Sequence, residues 1–110
     1  MLRGLRGADC LRGGGGDVRL VGGGGKDTLA GGGGDDRLVG GKGKDVLEGG
    51  KGDDRLAGGA GVERFDGGAG RDVIAARDGR RETVRCGRGR DRVTADERDR
   101  TIGCERVRRR

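Results

Sequence analysis

Several residue types that build ordinary globular cores and catalytic centres are missing from this chain. It has no proline, tryptophan, tyrosine or histidine, and Phe65 is its only aromatic residue. With 29% hydrophobic residues, the chain cannot build a large apolar core of the usual kind. The lack of histidine removes a common general base and a common zinc ligand, so the sequence predicts no enzyme and no zinc site. No apolar run approaches the roughly 20 residues that a membrane helix needs.

The first residues also lack the apolar segment of a signal peptide. A repeat begins at Gly4 without a lead-in. This start favours a fragment of a longer chain or a misassigned first residue. Export by a signal located elsewhere, such as type I secretion, stays open.

The net charge of +6 is placed unevenly. Residues 77–110 hold 13 basic and 7 acidic residues, whereas residues 22–57 hold 6 basic and 7 acidic residues. The basic excess therefore belongs to the C-terminal third. The glycine-rich centre is close to neutral, and its acidic residues recur at a fixed spacing.

That spacing is a period of nine, kept through eight consecutive rows from Gly4 to Ala75. Glycine fills the first and fourth positions of every row and the second position of seven. The sixth position is acidic in seven rows, and the eighth is large and apolar in all eight. The sixth-position residues are Asp9, Val18, Asp27, Asp36, Asp45, Asp54, Glu63 and Asp72, and the eighth-position residues are Leu11, Leu20, Leu29, Leu38, Leu47, Leu56, Phe65 and Ile74.

The pattern GGxGxDxUx, with U large and apolar, resembles the RTX (hemolysin-type) calcium-binding repeat. The resemblance implies an all-β, right-handed parallel β-roll in which two repeats make one turn, so that repeats two apart lie above one another. It also implies a module that folds on binding calcium, as part of a secreted bacterial protein with further domains.

The residue types support this interpretation independently. Glycine at positions one, two and four permits positive φ and close backbone approach in a tight turn. Period-two alternation over the last three positions places the eighth side chain on one face of a short strand. Ordering nine residues costs more than the burial of one leucine returns, and stacked aspartates repel one another. A divalent cation would offset that repulsion.

Calcium suits this sequence because the available ligands are hard oxygens. We expect each ion to bind two sixth-position carboxylates from repeats two apart, together with turn carbonyls near Gly22, Gly24, Gly31, Gly33, Gly40 and Gly49. The best pairs are Asp27 with Asp45, Asp36 with Asp54, and Asp54 with Asp72, while Asp9 with Asp27 is plausible. Val18 breaks one row, where Asp17 is an imperfect substitute, and the longer Glu63 weakens another. About three to five ions are expected, from the six or more oxygens that each demands.

Three other interpretations stay open. The array could be a disordered linker, although linkers do not keep apolar residues in phase. It could fold as a structural or cell-surface spacer with some or all of its metal sites empty, since Lys26, Lys42, Lys44, Arg37 and Arg55 weaken the local negative potential. The Arg-rich end could bind a nucleic acid or another polyanion. Interspersed acids and the lack of aromatic residues argue against nucleic acid, and a compositional bias is the preferred explanation.

After Ala75 the phase slips by one residue at Ala76, and most glycines are lost. Val84, Val93 and Ile102 are expected to continue the apolar position. We divide the chain into calcium-binding repeats at residues 4–75, a degenerate C-terminal cap at residues 76–107, and a basic tail at residues 108–110. Cys86 and Cys104 are separated by two repeat lengths, one turn of the expected roll, and are a candidate disulfide. Cys10 is expected to be an exposed, non-catalytic thiol.

Overall fold

The computed structural model describes residues 2–3, 10–59, 63–75, 83–87, 92–95, 100–102 and 106–109. All regular structure in these segments is β-strand, which confirms the predicted all-β class. The strands are β1 (Leu2–Arg3), β2 (Cys10–Arg12), β3 (Arg19–Val21), β4 (Thr28–Ala30), β5 (Arg37–Val39), β6 (Val46–Glu48), β7 (Arg55–Ala57), β8 (Arg64–Asp66), β9 (Val73–Ala75), β10 (Thr83–Arg85), β11 (Arg92–Ala95), β12 (Arg100–Ile102) and β13 (Arg106–Arg109). None of the described segments forms a helix long and apolar enough to cross a membrane.

The strands alternate between two parallel sheets. Odd-numbered strands form a seven-stranded sheet in the order β1-β3-β5-β7-β9-β11-β13, here called sheet A. Even-numbered strands form a six-stranded sheet in the order β2-β4-β6-β8-β10-β12, here called sheet B. Each repeat thus contributes one short strand, and two successive repeats complete one turn of a parallel β-roll, as expected.

The register stacks identical repeat positions through the regular part of the chain. Leu20 pairs with Leu38, and Leu29 pairs with Leu47, each the same position two repeats later. Phe65 pairs with Val84, which lies one residue further along the chain than two repeats would place it. The additional residue matches the phase slip predicted after Ala75.

The register of the last strands departs from the prediction. Val84 pairs with Thr101, one residue short of two repeat lengths, and Ile102 lies opposite Arg85. The expectation that Ile102 continues the apolar position is therefore wrong by one residue.

The core is a narrow ladder of eighth-position side chains between the two sheets. All of them from Leu20 onward that the structure describes are at most 1% exposed: Leu20, Leu29, Leu38, Leu47, Leu56, Phe65, Ile74, Val84 and Val93. Each turn supplies only two such side chains, and the smallest dimension of the molecule is 14 Å. The turns at the strand ends must therefore carry part of the stability.

Glycine makes these turns possible. Glycines at positions two and four have positive φ, for example 87° at Gly23 and 94° at Gly25, a region that L side chains rarely adopt. Adjacent turns are joined by backbone hydrogen bonds, such as the one that the Lys42 N–H donates to the Gly23 carbonyl at 3.1 Å. The turns therefore stack as regularly as the strands.

Candidate metal centre

The turns lie along two edges of the roll. Edge one comprises the turns that lead into sheet A, at residues 13–18, 31–36, 49–54 and 67–72. Edge two comprises the turns that lead into sheet B, at residues 22–27, 40–45 and 58–63, of which residues 60–62 lie outside the described chain. The sixth position ends each turn, so sixth-position side chains form one row along each edge. The edge-one row is Val18, Asp36, Asp54 and Asp72, and the edge-two row is Asp27, Asp45 and Glu63.

Every acidic side chain in these two rows is buried. Asp27, Asp36, Asp45, Asp54, Glu63 and Asp72 are at most 2% exposed. A buried carboxylate is costly unless hydrogen bonds or a cation compensate for the lost water. The surroundings of these oxygens therefore decide what the rows can do.

One oxygen of several carboxylates accepts a hydrogen bond from the adjacent turn. The backbone N–H of Asp27 donates to Oδ1 of Asp45 at 2.9 Å. On edge one the N–H of Asp36 donates to Oδ1 of Asp54 at 2.8 Å, and the N–H of Asp54 donates to Oδ1 of Asp72 at 2.9 Å. The structure thus places the three best predicted pairs in neighbouring turns of the same edge.

The second oxygen of these carboxylates has different surroundings. The Oδ2 atoms of Asp36, Asp45 and Asp54 are buried, and no described residue donates a hydrogen bond to them. Unsatisfied buried oxygens are rare in folded proteins, and one explanation for them is an ion.

These Oδ2 atoms line small oxygen-rich cradles beside the first glycine of each turn. A Cβ built on Gly31 would lie 2.5 Å from Oδ2 of Asp36 and 2.8 Å from the carbonyl oxygen of Gly49 in the next turn of edge one. A Cβ on Gly49 would lie 2.7 Å from both Oδ2 of Asp54 and the carbonyl oxygen of Gly67. Only glycine fits at position one, because any side chain would fill the cradle.

Edge two has the same arrangement. A Cβ on Gly22 would lie 2.7 Å from both Oδ2 of Asp27 and the carbonyl oxygen of Gly40. A Cβ on Gly40 would lie 2.7 Å from Oδ2 of Asp45. Among the predicted carbonyl donors, Gly40 and Gly49 therefore adjoin the sixth-position carboxylates.

Oxygen is the only ligand type that these cradles present. Carboxylate and carbonyl oxygens in variable geometry are the ligands that calcium takes. Within the described segments, no three acidic or cysteine side chains converge on one point. A cation between two turns would therefore bind carboxylates together with backbone carbonyls, and the residues present fit calcium.

Burial changes the acidity of these side chains. Burial raises the pKa of Asp45 and of Asp54 to about 6, against the lowering effect of the hydrogen bond that each accepts from the adjacent turn. The negative charges of Asp27 and Glu63 raise the pKa of Asp45 further. Burial also raises the pKa of Asp36. The carboxylates are held in surroundings that disfavour negative charge unless a positive charge joins them.

The cradles differ in the two irregular repeats, those of Val18 and Glu63. A Cβ on Gly13 would collide with the Cγ2 methyl of Val18, so a hydrocarbon group fills that cradle. A Cβ on Gly58 would meet the Cδ and Cγ carbons of Glu63, at 2.8 and 2.9 Å. The longer side chain of Glu63 thus brings its carbon atoms to the place that Oδ2 occupies elsewhere. Asp9 lies outside the described residues.

A second acidic row on edge one was not anticipated from the sequence. The N–H of Asp35 donates to Oδ1 of Asp17, and the N–H of Asp53 donates to Oδ1 of Asp35, both at 2.8 Å. These fifth-position side chains are exposed. Asp17 therefore belongs to this outer row and does not substitute for Val18. The pairs Asp35-Asp36 and Asp53-Asp54 were the available signal, because they double the acid in alternate repeats.

A β-roll with rows of buried carboxylates in its turns defines a class of repeat module. The family model of the RTX calcium-binding nonapeptide repeat matches four overlapping stretches, at residues 3–38, 31–62, 39–74 and 57–80. The chain belongs to this family. Comparisons with curated proteins and with solved structures found no match.

Proposed function

We propose that the chain is a calcium-dependent folding module. Each ion binds between adjacent turns of one edge, to two sixth-position carboxylates and to turn carbonyls. The observation that carries this proposal is the buried Oδ2 of Asp36, Asp45 and Asp54, which lies beside a first-position glycine and receives no hydrogen bond from the described segments. The family match supports calcium as the ion.

The turn residues hold the carboxylate and carbonyl oxygens in fixed positions. Calcium supplies positive charge to rows of carboxylates that otherwise repel one another. First-position glycines keep the cradles open, and cross-turn hydrogen bonds orient the carboxylates. Because each ion contacts two turns, binding and stacking stabilise each other, and folding free energy is coupled to metal binding.

We propose three ion sites at pairs whose turns are joined by a cross-turn hydrogen bond: Asp27 with Asp45, Asp36 with Asp54, and Asp54 with Asp72. Asp9 with Asp27 would add a fourth. A site at Asp45 and Glu63 would be the weakest, because carbon atoms of Glu63 occupy its cradle. Our proposal of about three to five ions stands on this count.

The biological setting is also part of the proposal. A module that folds on calcium suits export from a compartment with little calcium to one with more, and we propose a secreted or extracellular location. The module would serve a longer protein whose activity belongs to other domains.

We further propose that residues 76–107 cap the roll and that Cys86 and Cys104 form a disulfide. Cys86 is fully buried in the core. Cys104 lies outside the described residues, and β12 pairs with β10 at an offset one residue shorter than two repeats. Mass spectrometry tests the bond. Under denaturing, non-reducing conditions an alkylating reagent should add once, at Cys10, and after reduction it should add three times.

A metal-independent spacer is the second candidate, and the cross-turn hydrogen bonds favour it. The bonds from the Asp27 and Asp36 N–H groups to Asp45 and Asp54 link turns without an ion. In a spacer these bonds and the ladder of Leu side chains would suffice for folding.

Circular dichroism during a calcium titration distinguishes the two candidates. We expect a coil spectrum in chelator, and a cooperative change to β-structure as calcium is added. Size-exclusion chromatography should show compaction over the same range, and magnesium at equal concentration should act weakly because it demands stricter geometry. A β-spectrum in chelator that calcium does not change would support the spacer and refute the calcium-dependent module.

A further inference from the structure

We propose that the two edges of the roll bind calcium with different affinity, edge one before edge two, and that the fifth-position residues set this order. This inference rests on the proposed function. It concerns which site fills first and not whether calcium binds.

The fifth positions give the edges opposite charge. On edge one these positions carry Asp17, Asp35 and Asp53, followed by Arg71. On edge two the described fifth positions carry Lys26 and Lys44. All six side chains are exposed, and each is adjacent in sequence to a sixth-position residue.

Charged residues flanking the turns act in both directions. The exposed Arg12 precedes the Gly13 turn and adds positive charge to edge one. Lys42, at position three, adds positive charge to edge two, and Lys51 adds it to edge one. The exposed side chain of Glu48 immediately precedes the Gly49 turn and adds negative charge to edge one. The ninth-position residues that precede edge-two turns are uncharged: Val21, Val39 and Ala57.

The outer acids act on the buried carboxylates. Asp35 and Asp53 are adjacent in sequence to the buried Asp36 and Asp54, and all four line one groove. Exposed negative charge beside a buried carboxylate attracts a divalent cation to the same place. Arg37 and Arg55 line the same shallow groove as Asp35 and Asp53 and reduce this attraction. Their long side chains can extend their charge into solvent.

The outer row also organises the turns. On edge one, each of the turns at 31–36 and 49–54 donates its fifth-position N–H to the turn before it and its sixth-position N–H to the turn after it. At the described fifth positions of edge two, Lys26 and Lys44 have no carboxylate to accept such a bond. The turns of edge one are therefore held by additional hydrogen bonds before an ion binds, which lowers the entropy lost on binding.

Two full-length variants isolate the edges. In D27N/D45N the edge-two pair is removed, and in D36N/D54N the edge-one pairs are removed. Calcium affinity is measured for each by competition with a fluorescent chelator. Because the charge difference acts across a few ångströms and is screened by salt, we expect about tenfold tighter binding in D27N/D45N at low salt. The difference in calcium affinity between the two variants should become smaller in about 0.5 M KCl.

The control is one substitution placed in both backgrounds. D35N/D53N removes two charges of the outer row, while each Asn retains an oxygen that can accept the cross-turn hydrogen bond. It should weaken calcium binding severalfold in D27N/D45N and leave D36N/D54N nearly unchanged. Conversely, K26Q/K44Q should strengthen binding in D36N/D54N alone.

The outcomes separate this inference from the proposed function. Equal affinity of the two edges, or tighter binding at edge two, overturns the inference although calcium still binds. An equal effect of D35N/D53N in both backgrounds also overturns it. Failure of the unsubstituted chain to bind calcium overturns the proposed function itself. If D27N/D45N or D36N/D54N does not fold, D35N/D53N and K26Q/K44Q are each introduced into the unsubstituted chain. D35N/D53N should then weaken the first steps of the calcium titration, and K26Q/K44Q should strengthen the last steps. Any other pattern overturns the order.

Discussion

At the scale of single residues, glycine has two different tasks in each turn. At positions two and four it adopts positive φ, as Gly32 and Gly34 do at 84° and 89°. At position one it keeps the cradle open beside the carboxylate, as Gly31 does beside Asp36. At position three, Gly33 has no neighbour within 4 Å of the place where a Cβ would be.

This difference predicts opposite results for two substitutions in one turn. Gly31→Ala should weaken calcium binding by about tenfold or more, because the methyl group meets Oδ2 of Asp36 and the Gly49 carbonyl, and overpacking of this kind costs about 1–3 kcal/mol. Gly33→Ala should change the affinity by no more than about twofold, or stabilise the fold slightly by restricting the unfolded chain. Calorimetric titration compares them. Equal effects would mean that position one is not part of the site.

The acidity of the buried carboxylates predicts an unusual pH dependence. The pKa of Asp45 and of Asp54 is about 6 in the fold, above the ordinary value of 3.8. The calcium-free fold therefore binds more protons than the unfolded chain, and its stability rises as the pH falls through about 6 toward about 4. Calcium binding should weaken over the same interval, since protons compete for the carboxylates.

Circular dichroism in chelator at two pH values tests the predicted pH dependence of the calcium-free fold. The calcium-free chain should show more β-structure at about pH 5 than at about pH 7.5. In D45N/D54N this gain on acidification should be smaller, because the two titrating carboxylates are absent. A calcium-free chain that loses structure on acidification would show that these carboxylates are not buried as described.

At the scale of the strand, the register pairs residues of the same type on neighbouring strands. Arg37 in β5 lies between Arg19 in β3 and Arg55 in β7, so three exposed positive charges follow one another on sheet A. Like charges directly opposite on neighbouring strands are destabilising. On sheet B, Arg64 lies between Val46 and Thr83 and has no such neighbours.

Arg37→Thr should therefore stabilise the calcium-loaded protein. We expect a gain of about 0.5 kcal/mol in the free energy of unfolding, within the roughly 0.2–1 kcal/mol range of cross-strand pairs. Arg64→Thr is the matched control and should gain less, because it gives the same strand preference without relieving repulsion. Denaturant unfolding at low salt and saturating calcium measures both. A larger gain for Arg64→Thr would contradict the role given to the Arg row.

The sequence predicted strands and their register through the intact repeats and, after the slip at Ala76, as far as Val93. Identical positions in rows two apart leave one alignment of Leu20 with Leu38 that buries both side chains. Between Val93 and Ile102 there is no glycine to mark a turn, so a count of nine no longer locates it. The prediction for Ile102 failed for that reason, since the structure pairs Val84 with Thr101.

At the scale of the whole molecule, the roll consists of two sheets, one thin core, two rows of buried acidic side chains and one exposed acidic row on edge one. The period of nine predicted this architecture, because a repeat that buries one side chain can form a core only by stacking on its neighbours. The buried sixth-position row was predictable from the same period. The outer row of Asp17, Asp35 and Asp53 was not, since cross-turn hydrogen bonds at exposed positions leave no apolar pattern.

The count of bound calcium ions tests the central claim most directly, through adjacent residues with different tasks. Asp54 belongs to two proposed sites, whereas its exposed neighbour Asp53 belongs to none. Calorimetric titration of the full chain at saturating calcium should show two ions fewer for Asp54→Asn than for the unsubstituted chain, and an unchanged number for Asp53→Asn. An unchanged count for Asp54→Asn, or an equal loss for Asp53→Asn, would contradict the binding of calcium between turns by the buried row.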